Sequence, residues 1–299
     1  MTASTRPLRR LFACMWQQRA HLIDYPTPRA DQQRVLITGG NGGIGLATAR
    51  GLLRRGADVT IACRNPEKAR HAAQQLLDET GQSVDIALCD LADLGSVAQC
   101  AGALDGVFDV LICNAGVWAK SYAETAQGHE ISFGVNVLGH FLLIEKMIDR
   151  GVLAEGARVV IVTGDIYVMV SDCSPDYRYR GALGGQWAYC RSKLGNLWLR
   201  HALEDAHPDR KWFAVHPGVV TTNLAGAASG PAWLTDRLLI SPDEGAQTSI
   251  ACATVPDMPT GYHHNTLGHV ALDPTDPGAN AEGWRRMMTQ CVPLIAPYR

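Results

Sequence analysis

Two side chains four positions apart, Tyr189 and Lys193, carry the most specific chemistry in this sequence. Four residues is about one helical turn, so on a helix the two share a face. A phenol ordinarily titrates near pH 10, about three units above neutrality, which makes it a poor base there. An ammonium beside it stabilises the phenolate and shifts that value down. Such a pair can give or take a proton at the oxygen of a carbonyl or alcohol. By itself it is also an ordinary helix-surface pair, so its meaning depends on what stands around it.

Upstream, Val35-Leu36-Ile37-Thr38 is a short β-branched run suited to a buried parallel strand. TGGNGGIG begins at Thr38 and supplies Gly39, Asn41, Gly43, Ile44 and Gly45. Leu46, Ala47, Ala49, Leu52 and Leu53 then continue at helical spacing to Gly56. Strand, glycine turn and helix in this order open a dinucleotide-binding unit. Glycines let the backbone turn tightly and approach a pyrophosphate, and the helix N-terminus offers free N–H groups and a positive dipole end. A second strand over 58–62 leads to Cys63-Arg64, about twenty residues beyond the glycines, where an acidic residue would bind the ribose hydroxyls of NAD. No acid occurs there until Glu67. Arg64 is placed to grip a 2′-phosphate with its planar fork. The expectation is NADP(H) over NAD(H); a solvated surface arginine is the bland alternative.

A frame is needed to bring residues 39 and 193 together. The 299 residues are 46% hydrophobic and 19% charged, with net charge −2. That excludes disorder over most of the chain and nucleic-acid binding by bulk charge, and it suits one large α/β domain or two small ones. No run approaches the roughly 18 apolar residues of a spanning helix. The nine cysteines are scattered singly, without a C-x-x-C pair, as expected of reduced thiols in a cytoplasmic setting. Periodicity predicts helices over 66–80, 93–104 and within 127–149, and strands over 84–88, 107–113 and 158–163. Alternation of this kind predicts a single Rossmann-type domain, a doubly wound parallel sheet with helices on both faces, over 34–299. Asp90-Leu91, Asn114-Ala115-Gly116 and residues 163–165 then fall at the carboxyl ends of strands, where ligands collect.

Residues 1–33 read as an N-terminal extension. Leu8, Leu11, Phe12, Met15, Trp16, Ala20, Leu22 and Ile23 recur at helical spacing, predicting an amphipathic helix within 7–24 with arginines on its polar face. Packing on the domain or on a second subunit is the simplest reading. Peripheral membrane contact and a cleaved targeting segment are alternatives. Tyr25-Pro26-Thr27-Pro28 reads as a stiff linker.

Taken in order, Thr38–Gly45, Asp90-Leu91, Asn114-Ala115-Gly116, Phe133-Gly134-Val135-Asn136, Tyr189–Lys193 and Pro217-Gly218 resemble the short-chain dehydrogenase/reductase family. YCRSKLGNLWLRHAL, HPGVVTTNL and SPDEGAQTS resemble its retinol-dehydrogenase-like branch. The resemblance runs from about residue 33 to the C-terminus. It implies that Asp90, with Leu91, meets the adenine and that Asn114 ties adjacent strands beside the cofactor. It implies that Lys193 holds the nicotinamide ribose and lowers the Tyr189 pKa. It implies that Asn136 orders a water for proton relay, and that Pro217, Gly218, Val220 and Thr222 meet the nicotinamide end. Family members associate as dimers or tetramers through the helices carrying Asn136 and Tyr189, and a homodimer or homotetramer is the expectation here.

One departure stands out. Where the family places a serine that orients the substrate carbonyl, this strand reads Val162-Thr163-Gly164-Asp165, and registration puts Gly164 on that serine. Thr163, Asp165 and Tyr167 are the neighbouring candidates to replace it. Thr163 would need a backbone adjustment, because successive strand side chains face opposite ways. Two readings stay open. One is an NADP(H)-dependent oxidoreductase that interconverts carbonyl and alcohol. The other is a site turned to rearrangement, elimination or double-bond reduction, or a cofactor binder of low activity. Trp118, Tyr122, Tyr167, Trp187 and Trp233 stand near motif ends that should face one cleft. They favour a bulky hydrophobic substrate such as a steroid, retinoid, polyketide or terpenoid. Residues 223–245 read as a substrate lid. His263 and His264 read as loop residues, with no metal site expected.

Overall fold

The computed structural model describes residues 18–26, 28–179, 181–220 and 239–299. Its elements run β1 (Arg34–Thr38), α1 (Gly43–Leu53), β2 (Asp58–Cys63), α2 (Pro66–Thr80), β3 (Asp85–Leu88), α3 (Leu94–Ala103), β4 (Phe108–Cys113), α4 (Ile131–Asp149), β5 (Leu153–Val162), α5 (Gly184–Ala206), β6 (Lys211–His216), α6 (Pro242–Thr254), β7 (Gly261–His264), β8 (Gly268–Val270) and α7 (Ala281–Ile295). One eight-stranded sheet has the order β3-β2-β1-β4-β5-β6-β7-β8. All neighbours are parallel except β7 and β8. Strand order reverses between β1 and β4, which opens a crevice at their carboxyl ends.

Local chemistry sets the element ends. Asn65 caps α2 by accepting from the Lys68 amide (2.9 Å), Pro66 occupies its first turn, and Gly81 closes it in the left-handed region. Ser241 and Glu244 cap each other's backbone at the start of α6, which lies inside the expected lid 223–245. The strands Val35–Ile37 and Val159–Ile161 are fully buried, as parallel strands covered on both faces must be. One core layer joins α1, α2 and α6 to one face of the sheet; the other joins α3, α4, α5 and α7 to the opposite face.

Several expectations change here. The amphipathic helix expected over 7–24 does not reach residue 24. Among its described residues only Gln18–Ala20 is helical, a single 3-10 turn, and its side chains bond to distant backbone instead of to a helix. Its earlier part lies outside the described residues. His263 and His264 stand on β7, buried and facing opposite ways, not in a loop. Contrary to the count of apolar runs, α4 is long and apolar enough to cross a membrane by length and composition, but 83% of that stretch is buried inside the domain. It is a core helix. The helices that carry Asn136 and Tyr189 are also packed from within the chain by its C-terminal residues. α7 packs on α5, Lys146 on α4 donates to the Tyr298 carbonyl (2.9 Å), and Arg299 pairs with Glu145 (2.7 Å) and Asp149 (2.6 Å).

Trp198 anchors this C-terminal cover. Its ring is fully buried and packs against Gly283 of α7, while its indole N–H donates to the Pro277 carbonyl (2.9 Å). Trp198→Ala should therefore lower stability by about 3–5 kcal/mol, through a cavity and a lost hydrogen bond. Urea unfolding checks this; a loss below about 1 kcal/mol would show that α7 contributes little.

Candidate active site

The glycine loop is held close to its neighbours. Gly39 sits at φ +67. A Cβ on Gly45 would lie 2.3 Å from the Gly39 carbonyl oxygen and 2.5 Å from the Asn114 amide nitrogen, so only glycine fits at the start of α1. The N-cap, Gly42, has no capping side chain, and no acid stands in the first turn. The helix terminus therefore keeps its N–H donors and positive dipole end for an anion. Asn41 and Ile44 lie on the same half-buried loop. Arg64, just past β2, is exposed and makes no ion pair among the described residues. Asp90 follows β3, with its carboxylate accepting from the Ala92 amide (3.0 Å), beside buried Leu91. These residues fit a nicotinamide dinucleotide: a Cβ-free cradle and an uncapped helix end follow β1, and Arg64, with no ion pair among the described residues, follows the adjacent β2.

Asn114 joins the ends of β4 and β1. Its amide donates to the Thr38 carbonyl (2.9 Å), while Thr38 Oγ1 accepts from the Asn114 and Ala115 amides (3.0 Å each). Thr38 Oγ1 also lies 2.9 Å from His140 Nε2, and His140 Nδ1 lies 3.1 Å from the Asn136 carbonyl. A carbonyl only accepts, so Nδ1 carries the proton and Thr38 donates to Nε2. Around Asn136 the helix widens into a π turn, Gly134–Gly139, of the kind often found at functional sites. The Asn136 side chain accepts from Val117 N (2.8 Å) and donates to Val117 O (3.1 Å) and Ser192 Oγ (2.9 Å). Ser192 in turn donates to the Tyr189 carbonyl (2.8 Å).

Tyr189 and Lys193 share a face of α5, and the Lys193 ammonium stands 5.4 Å from the Tyr189 ring centroid. Lys193 Nζ donates to the Val162 carbonyl (3.0 Å), and burial lowers its pKa to about 8. Gly116 lies beside Asn136 Oδ1 and Lys193 Nζ. Trp118 stacks on the Tyr189 ring, with centroids 5.3 Å apart. The expected lowering of the Tyr189 pKa is not found. Burial raises it, because the phenolate would be desolvated.

Gly164 has room for a side chain. Its backbone is extended (φ −169), and a Cβ would meet nothing nearer than His216 Nδ1 and the Lys193 Cγ at 3.9 Å. None of the neighbouring candidates turns a free hydroxyl into that space. Thr163 Oγ1 donates to the Lys193 carbonyl (2.7 Å) on α5. Tyr167 is fully buried and donates to Asp276 (3.1 Å), which makes it a core residue and corrects its assignment to the substrate side. Asp165 is buried. Its carboxylate accepts from the Tyr262 hydroxyl and from His264 Nε2 (3.1 Å), and its amide donates to His216 Nδ1 (3.1 Å). The His216 and His264 rings pack at 4.6 Å.

Asp165, His216 and His264 bring ligand atoms within 4.8 Å of one another. The donor set does not suit a cation. The Asp165 amide requires His216 Nδ1 as acceptor, and the Thr266 amide (3.1 Å) requires His264 Nδ1 as acceptor. Both rings then carry the proton on Nε2, and ligation would orphan a backbone N–H. The cluster is a hydrogen-bond network around one carboxylate.

Pro217, Gly218 and Val220 follow β6, and Val220 pairs with Ile240. A Cβ on Gly245 would touch Val220, the Pro217 carbonyl and Ile44 of the glycine loop, so this stretch walls the cradle. Trp187 is half-buried on α5 near Tyr189, whereas Tyr122 lies on the surface against Tyr179. Thr222 and Trp233 lie outside the described residues. Ser192 and His216 lie inside motifs that resemble the family, with no role implied for them, and His140 and Tyr262 carry no sequence signal. Each is recognisable only by its partner across the fold.

The sequence model described as "short chain dehydrogenase" matches residues 33–231. The chain belongs to the short chain dehydrogenase family. Among curated relatives it is 38% identical to Retinol dehydrogenase 14 of Mus musculus, covering 75% of this chain and 74% of that protein. It is 33% identical to Polyprenol dehydrogenase of Homo sapiens, over 77% of this chain and 75% of that one. Among solved structures, an uncharacterized protein from Mycobacterium Paratuberculosis superposes with TM-score 0.72 and 31% identity, over 90% of this chain and 95% of that one.

In this dehydrogenase the His140 link sets an acid limit. Burial holds the His140 pKa near 4, aided by the Lys193 charge, and burial does the same to His263. The unfolded chain takes up these protons first, below about pH 6.5. The neutral imidazole therefore contributes fully above about pH 6.5. That contribution is lost as pH falls toward 4, at a cost of up to about 3 kcal/mol per ring. Urea unfolding from pH 7 to 4.5 should show this decline, and His140→Gln should make it shallower. An unchanged slope would place the acid sensitivity elsewhere.

Proposed function

We propose that this dehydrogenase uses NADP(H) to interconvert a carbonyl and an alcohol on a bulky hydrophobic substrate, with Tyr189 as the proton-transferring group. The observation that carries the reading is the convergence of Tyr189, Lys193 and Asn136, linked through Ser192, beside the glycine cradle. Gly39, Asn41, Gly43, Ile44 and Gly45 would hold the pyrophosphate, Arg64 the 2′-phosphate, and Asp90 and Leu91 the adenine. Asn114, Ala115, Gly116, Lys193, Pro217, Gly218, Val220 and Thr222 would hold the nicotinamide half. Bound there, NADPH supplies the hydride.

The protein's own residues manage the proton. A phenol is protonated at neutral pH, so Tyr189 can donate to a carbonyl oxygen. Lys193, pinned by Val162 O, keeps its charge on the ring face of that phenol. Trp118 stacks on the ring and would offer an apolar surface to a steroid, retinoid, polyketide or terpenoid. The apolar alcohols in the names of the two curated relatives support that substrate class.

A second reading is favoured by Gly164. With no hydroxyl there and Thr163 turned to Lys193 O, carbonyl orientation loses a donor. Loss of one such donor typically costs on the order of 10²–10³ in rate. The site then serves weak reduction, or chemistry in which no carbonyl is reduced. A cytoplasmic setting is part of the main reading, supported by the eight free, buried thiols among the described residues. Self-association as a dimer or tetramer would use surfaces other than the α4 and α5 faces that α7 and the C-terminus cover.

NADPH oxidation coupled stoichiometrically to an alcohol product is the deciding assay. Tyr189→Phe should cut turnover by about 10²–10⁴ while NADPH still binds; full turnover would remove Tyr189 from the chemistry. Gly164→Ser should fit without strain and keep or raise carbonyl reduction. A fall in native activity with Gly164→Ser would favour the second reading.

Cofactor choice is tested separately. Calorimetric titration should show a preference for NADPH over NADH, and Arg64→Asp should weaken NADPH binding by roughly 2–3 kcal/mol through loss of a charge-assisted contact. A wild-type preference for NADH would overturn the Arg64 assignment.

A further inference from the structure

Gln18 lies 201 residues before Val219, yet its side chain is 2% exposed and bonded to that residue's backbone. Gln18 Nε2 donates to Val219 O (3.1 Å), and Gln18 Oε1 accepts from Val219 N (2.9 Å). The amide thus does for Val219 what a neighbouring strand would do. On its other side Val219 O accepts from Ile240 N (3.0 Å), and Val220 bridges Ile240. Gly218, at φ +94, makes the approach possible: a Cβ there would lie 2.8 Å from Gln18 Oε1 and 2.5 Å from the Asn265 amide nitrogen.

The residues after Gln18 continue the clasp. Arg19 Nε donates to Leu239 O (3.0 Å), and Ile23 N donates to Asn265 O (3.0 Å) just past β7. Three residues at the N-terminal side, Gln18, Arg19 and Ile23, therefore bind the chain leaving β6, the chain entering α6 and the turn after β7. Asn265 is 2% exposed, and both atoms of its side-chain amide lack a hydrogen-bond partner among the described residues. Val219 is next to Val220, and Val220 and the Pro217 carbonyl converge with Ile44 on Gly245. A shift of Val219 is a shift of the cradle wall.

We propose that Gln18 is a positioning residue for the nicotinamide end of the cofactor site, so that docking of the N-terminal segment and binding of NADP(H) are coupled. This rests on the dinucleotide reading above. Coupling of this kind is reciprocal: whatever factor the docked segment adds to cofactor affinity, the cofactor adds to docking. A residue that only stabilised the fold would raise the melting temperature and leave cofactor affinity unchanged.

The test uses the full chain. NADPH affinity is measured by calorimetry, and backbone hydrogen exchange is followed at Val219 and Ile23. In the wild type, saturating NADPH should slow exchange at both amides. Gln18→Ala should raise the NADPH Kd roughly tenfold, as loss of two hydrogen bonds permits, and should abolish the effect of NADPH on Ile23. A lowered melting temperature with an unchanged Kd would overturn the proposal, as would NADPH-independent exchange at Ile23 in the wild type. Gln18→Glu keeps the acceptor for Val219 N but places a carboxylate oxygen against Val219 O, so it should weaken NADPH in the same direction if Gln18→Ala does not fold. A wild type that binds neither NADPH nor NADH would defeat the dinucleotide reading itself, whereas binding that ignores Gln18 defeats only the coupling.

Discussion

The site depends on how the end of β1 is tied to the end of β4. At this point strand order reverses, and the helices that follow the two strands leave toward opposite faces. Nothing covalent closes the gap. Thr38 and Asn114 close it with a carbonyl, a hydroxyl, two amides and a side-chain amide, all within hydrogen-bond distance. The glycine loop is then held from below, because Asn114 also fills the space that a side chain on Gly45 would need. Through His140 the same hydroxyl reaches the π turn of α4. From there Asn136 and Ser192 carry the register to Tyr189 on α5. The glycine loop and the Tyr189 turn of α5 are set by one continuous polar path, most of it out of reach of water.

A second polar path ends on the other side of Gly164. Asp165 is a buried carboxylate whose acceptor capacity is met by Tyr262 and His264, with His216 fixed by the Asp165 backbone. A buried charge survives only when its hydrogen bonds are made. This network therefore rigidifies the turn after β5 while leaving the space at Gly164 open. The walls around that position are stiff, while the position itself stays open.

The frame of the molecule was legible because it is written in local periods. Pro66–Thr80 appears as the sequence predicts, from Asn-Pro at one end to Gly at the other. The strands and glycine turn that form the cradle are likewise runs of neighbours in the chain. What was not legible is non-local. Nothing adjacent to Gln18 marks it as the partner of Val219, and nothing near His264 announces Asp165. The His263-His264 pair reads as loop because alternation puts two polar rings on opposite faces of a strand. Tertiary partners on both sides make that arrangement tolerable. Tyr189 shows the same limit: spacing gives its neighbour, but the sign of its pKa shift is decided by burial, which only the packed structure contains.

The cover that α7 and the C-terminal residues place over the core has a consequence for synthesis. α4 is apolar enough to pass for a membrane-spanning segment, and part of what hides it comes from the end of the chain. Arg299 lies 150 residues beyond its partner Asp149. At about 5–20 residues per second, translation leaves that helix without its full cover for on the order of ten seconds or more. During that interval the nascent chain presents a long apolar surface that its own later residues have yet to cover.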